Sequence, residues 1–186
     1  MDALDLMLSR ESALKLESPG PSAADLNQMF ASAVRAPDHG RLRPWHFVVI
    51  NEDKRAAFGN LMAGVLRRRD PTASETAVQR ERDKAFRAPV IVVVAAKVQR
   101  GHKIPEIEQI ASASAAAQTI MLAAPALGYG AVWKTGAPAY DPTVKLALGL
   151  TAEDDIIGFL YIGTRTGGSA PFPRPEPRDF VTTWAG

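Results

Sequence analysis

Seven consecutive residues, Val90-Ile91-Val92-Val93-Val94-Ala95-Ala96, constrain this chain more than any other stretch. The run is apolar throughout and starts directly after Pro89, which cannot sit inside a helix. A run of this length and composition is predicted as a fully buried strand. Other elements must therefore cover it. With 186 residues, 46% of them hydrophobic, the chain has enough apolar material for such a core, and one domain over residues 1–186 is expected.

The covering elements are legible from caps and periodicity. Asp2 is predicted to cap a first helix with Leu4, Met7 and Leu8 on one face, running out near Arg10-Glu11-Ser12. After the turn Ser18-Pro19-Gly20-Pro21, Ser22 and Asp25 have capping-box spacing. Leu26, Met29, Phe30, Ala33 and Val34 then form an amphipathic stripe. Trp45 to Ile50 is predicted as a strand, largely buried because its apolar run hardly alternates. Asp53 is expected to cap a third helix carrying Phe58, Leu61, Met62, Val65 and Leu66 on one face. Residues 74–87 are rich in charge, with only Val78 and Phe86 large and apolar, and read as a mobile surface helix able to lid a site.

Pro105 to Leu127 suits a long helix, roughly 34 Å at about 1.5 Å per residue. Its middle, residues 111–117, is small all round, which places it centrally or at a subunit interface. Pro125 should kink or end it, and Gly128 can cap it. Ala131 to Trp133 is a short strand leading into Lys134-Thr135-Gly136. Asp141 and Pro142 open another helix that stops at Gly149, and Ile156 to Ile162 is the last strand. The proline-rich residues 171–177 keep an extended tail, residues 167–186, whose Phe172, Phe180, Val181 and Trp184 are expected to dock on something. Helices precede the first strand, which favours α+β over a regular βαβ winding.

Absences narrow the chemistry. Net charge is only +2, so nothing demands nucleic acid or an acidic membrane, and the arginines at 67 to 69 suit a helix C-terminus. No cysteine is present, which excludes a disulfide framework, thiolate metal sites and a thiol nucleophile. His102 and Glu106 are too few to argue for a metal. The acidic start and the lack of a long apolar run make a cytoplasmic protein the expectation. Neither a dinucleotide fingerprint nor a phosphate-binding Gly-Lys-Ser loop occurs. What remains is a set of anion-capable residues at element ends: Arg10 and Ser12, Arg35 and His39, Lys134 and Thr135, and Arg165. Arg35 leads into a loop bounded by Pro37 and Pro44 and His39 lies within it, a polar segment of the kind that carries function between rigid elements. Guanidinium groups of such a set suit a phosphorylated ligand.

In order along the chain stand Arg10-Glu11-Ser12, Arg35-Ala36-Pro37-Asp38-His39, Arg43-Pro44-Trp45-His46-Phe47 and Gly128-Tyr129-Gly130-Ala131-Val132-Trp133-Lys134-Thr135-Gly136. With Ile157 to Thr164 as a closing strand, this series resembles the nitroreductase family, most closely its short bacterial members. The resemblance implies a nitroreductase-like α+β fold: a small, mostly antiparallel central sheet flanked by helices, in an interlocked homodimer holding FMN at the subunit interface. It implies that Arg10, Glu11 and Ser12 lie at the flavin phosphate. It also implies that Arg35 and His39 reach the flavin from the neighbouring subunit, and that Trp133, Lys134, Thr135 and Gly136 hold its ring and ribityl chain. Arg165 joins this set. Glu11 departs from the family's usual cation; because neighbouring residues leaving a helix point different ways, it is expected to pair with a surface cation or solvent. Leu14 departs too, standing where many longer members place a cation. The implied activity passes hydride from NAD(P)H through flavin N5 to an electron-poor acceptor such as a nitroaromatic or quinone, by a ping-pong mechanism with no catalytic side chain. The alternative is a non-catalytic FMN carrier.

Overall fold

In the computed structural model, which describes residues 2–168 and 173–186, the Val90–Ala96 run is a strand with all seven residues buried. The elements run α1 (Ala3–Ser9), β1 (Leu16–Glu17), α2 (Ala23–Ala33), β2 (Trp45–Ile50), α3 (Arg55–Arg69) and α4 (Glu75–Asp83). They continue with β3 (Val90–Ala96), α5 (Glu106–Ala126), β4 (Gly130–Lys134), α6 (Ala137–Tyr140), α7 (Pro142–Ala147) and β5 (Asp155–Arg165). The sheet is ordered β1-β5-β3-β2, with β4 also on β5, and every pairing is antiparallel.

The strand period of two sends alternate β3 side chains into two cores. Ile91, Val93 and Ala95 face Phe58, Met62 and Val65 of α3. Val90, Val92 and Val94 face Met29 of α2 and Ala116, Ala117 and Ile120 of α5. The small stripe of α5 thus lies centrally, where short side chains let the helix sit close to the sheet. Its end follows the expected chemistry. Gly128 adopts φ 87°, its N–H reaches Pro125, and Tyr129 N–H reaches Ala124 at 2.9 Å, which closes a Schellman cap. The Ser22–Asp25 capping box is formed, and Asp141 caps α7.

Three expectations are corrected. β2 is half-buried, with only Ile50 buried, because it lies at the sheet edge, where apolar composition does not guarantee cover. Asp53 does not cap α3; residues 52–54 form a 3₁₀ turn and no side chain caps the helix. Residues 74–87 are not a loosely held excursion. Val78 and Ala85 are fully buried, and Gly59 lets α3 approach so closely that a Cβ there would lie 2.6 Å from the Arg82 carbonyl. The first helix keeps its apolar face, but no part of the described chain covers it: Leu4, Met7 and Leu8 are all exposed. β1 and α6, too short for periodicity to reveal, complete the fold. No helix among the described residues is long and apolar enough to cross a membrane.

Candidate functional site

The anion-capable residues fall into two groups that one chain holds apart. The first gathers where α1 ends against β4. Ala13 N–H donates to the Ala131 carbonyl at 2.9 Å, so the Arg10-Glu11-Ser12 segment is tied to the strand that leads into Lys134-Thr135-Gly136. A cavity of about 260 Å³ opens there, with Arg10, Glu11 and Arg165 on one side and Met121, Pro125 and Tyr129 among its other walls. Glu11 lines this cavity with Arg10 rather than pointing away from it, and forms an ion pair with Arg165, a cation of the same candidate set. Arg10 is held through its backbone: its carbonyl accepts a bond of 2.7 Å from Arg174 of the tail.

Trp133 is positioned by a strand irregularity. Val94 pairs with Gly158 and Ala95 with Ile156, so Ile157 is an extra residue in β5. Its carbonyl accepts the Trp133 indole N–H at 3.2 Å. The ring rests on Gly158, where an added Cβ would stand 2.0 Å from the indole nitrogen. Gly158→Ala should therefore expel the ring and destabilise the fold by about 1–3 kcal/mol. The expected result is a lowered denaturation midpoint with red-shifted tryptophan emission; an unchanged spectrum and midpoint would refute this account. Beyond Trp133, Lys134, Thr135 and Gly136 are exposed, and Gly136 has φ 117°, a conformation that favours glycine.

The second group, Arg35 and His39, stands at the end of α2 and in the proline loop. That loop holds Gly40, Arg41 and Arg43 with φ between 51° and 74°, and the Arg43 N–H donates to Asp38 at 2.7 Å. Left-handed backbone at non-glycine residues costs about 1–2 kcal/mol each, so the loop is held in shape by its neighbours. His39 Nδ1 contacts Glu108 at 2.6 Å, near the start of α5. The first group touches α5 at Met121 and Pro125, near its other end. The thirteen helical steps from residue 108 to residue 121 span about 20 Å, so one chain does not bring Arg35 and His39 to Arg10.

The sequence reading missed three features. Tyr129 O–H donates to Asp25 at 2.8 Å, and this bond with those from Ser22 holds the carboxyl below its ordinary range. Glu108 as the partner of His39 was hidden by a separation of 69 residues. A second cavity, lined in part by Lys134, Thr135 and Gly136, also went unforeseen because its walls come from distant segments. Gly158 within an apolar strand was the one available signal for the bulge.

A small antiparallel sheet between two helical layers, with basic residues gathered where α1 meets the edge of β4, defines an α+β class of fold. The model of the Nitroreductase family matches residues 8–164. The Escherichia coli protein named "Putative NAD(P)H nitroreductase YdjA" is 38% identical over 189 residues, covering 98% of this chain and 99% of the relative. A nitroreductase-like family protein from Bacillus cereus superposes with a TM-score of 0.86 at 22% identity, over 100% of this chain and 97% of that one. A nitroreductase with bound FMN from Bacteroides fragilis gives 0.74 at 19% identity, covering 99% of each chain. The chain belongs to the nitroreductase family.

Proposed function

We propose that this chain is an FMN-dependent NAD(P)H oxidoreductase, one nitroreductase-like domain with residues 167–186 as an arm, working as a homodimer in the cytoplasm. The observation that carries the reading is the bond from Ala13 to Ala131, which joins the Arg10–Ser12 segment and the Trp133–Gly136 turn along one edge. Their residues suit the two ends of FMN. Arg10 supplies a guanidinium for the phosphate, beside Ser12, while the neutralised Glu11–Arg165 pair limits repulsion from the carboxylate. Among the described residues β4 pairs with β5 alone, which leaves backbone groups near Trp133 for the ring and ribityl chain.

The separation of Arg35 and His39 from this edge supports their acting from a second copy of the chain. The uncovered face of α1 and the exposed tail side chains supply apolar surface for the same interface. Phe172, part of the expected docking surface, lies outside the described residues. Bound FMN would supply the hydride chemistry; the residues of the chain bind and orient it and shield it from water. NAD(P)H and an electron-poor acceptor, such as a nitroaromatic or quinone, would use one cleft in turn.

The purified protein should be yellow, and stopped-flow mixing with NADH or NADPH should bleach its visible absorbance. Initial rates with a quinone should give parallel double-reciprocal lines, the ping-pong pattern. Intersecting lines would reject the shared cleft. Flavin that binds but is never bleached would favour the FMN-carrier reading.

A further inference from the structure

The second cavity carries an inference that needs neither FMN nor turnover. It measures about 140 Å³ and lies between α3, the segment after α4, and β5. That volume is close to the roughly 150 Å³ of an apolar cavity known to take up benzene. Its apolar lining comes from Met62, Val65, Leu66 and Phe159. Its polar lining is dominated by cations: Arg69, Lys84, Arg87 and Lys134, against the single carboxylate of Glu81.

That carboxylate is already engaged, because Lys84 donates to it in an ion pair. Arg69, Arg87 and Lys134 have no ion-pair partner among the described residues, although the neighbouring Arg67 and Arg68 do. Unbalanced positive charge around one opening favours an anion there. A second, independent observation comes from Tyr161. Its side chain is only 2% exposed, lines the cavity, and makes no hydrogen bond with any described residue. The hydroxyl oxygen is not sealed off, so a ligand acceptor atom in the cavity can take its hydrogen bond. Burial also pushes the Tyr161 phenol up to about 12, which keeps the proton on the oxygen as a donor. Arg87 and Glu81 lie within electrostatic reach of that oxygen, so it sits on the charged side of the cavity.

We propose that this cavity is a binding site for a single-ring aromatic carboxylate, its ring against Phe159, Met62 and Val65 and its carboxylate taken by Arg87, Lys84 and the Tyr161 hydroxyl. The apolar wall selects the ring, and the cations select the charge. Neutral arenes and small aliphatic acids each satisfy one half only.

Calorimetric titration of the full-length protein as purified tests this with benzoate, benzamide and acetate. Benzoate should bind at least tenfold more tightly than either of the other two. Arg87→Gln should remove most of that preference, and Tyr161→Phe should weaken benzoate several-fold while leaving benzamide unchanged. If Arg87→Gln does not fold, Arg69→Gln at the end of α3 provides the charge test. Equal binding of benzoate and benzamide, or benzoate binding that survives all these substitutions unchanged, would overturn the proposal. Flavin content is read from visible absorbance of the same samples. A colourless protein that binds benzoate in this way would sink the flavin reading and leave this one standing.

Discussion

A chain ending at Ala170 should lose the proposed dimer and, with it, the proposed FMN. Among the described residues of the tail, Phe180 is 76% exposed, Val181 70% and Trp184 89%, and residues 173–186 are exposed throughout. None of the described tail residues belongs to either core. Three large side chains left in water forgo about 1.5–3 kcal/mol each relative to burial, or roughly 4–9 kcal/mol per tail. Association entropy consumes part of this gain, yet about 4 kcal/mol alone is close to a thousandfold in dissociation constant. Loss of Arg174 also frees the Arg10 carbonyl, next to the proposed phosphate contact. Sedimentation at micromolar concentration, with visible absorbance to report flavin, should show a colourless folded monomer. A truncated protein that stays dimeric and fully loaded would assign the tail another role.

Replacing Arg10 by Ala should weaken FMN by about 1.5–3 kcal/mol, the loss of a charge-assisted hydrogen bond, or roughly 10–150-fold. Glu11 should behave differently because Arg165 neutralises it. Were that carboxylate to face the phosphate unpaired, about 3 kcal/mol of repulsion per unit charge would follow at 6 Å and an effective dielectric of 20. Glu11→Gln should thus change FMN affinity less than tenfold. Arg165→Ala removes a cation and uncovers the carboxylate together, so it should cost more than the double variant Glu11→Gln/Arg165→Ala. Titrating FMN into the four apo forms closes this double-mutant cycle. Additive effects, or a large gain from Glu11→Gln, would mean that the pair does not shield the phosphate.

Much of the fold was legible because its signals are local. The apolar run of β3, the capping box at Ser22 and the Gly128 turn each act through residues within a few positions of one another, and each formed as expected. Failures came where cover or partners lie far along the chain. Trp45–Ile50 has the composition of a buried strand, but its place at the edge leaves it half-buried. The charged segment from Ser74 looked solvated, yet one fully buried valine and the close approach at Gly59 hold it against α3.

The candidate site divides along the same line. Sequence order and residue type alone determined which groups are suited to an anion: Arg10, Ser12, Arg35, His39 and Lys134 are recognisable by chemistry and motif without coordinates. Only the tertiary structure decided which of them meet. Arg10 reaches β4 through the bond from Ala13 to Ala131, His39 is set apart by most of the length of α5, and Glu11 is drawn to Arg165 across 154 positions of sequence. The second cavity is the clearest case, because Arg69, Arg87, Lys134 and Tyr161 belong to four separate segments. Local pattern encodes the conformation of each segment, whereas a charge, a cavity wall or an unpaired hydroxyl acquires meaning only from what folding places beside it.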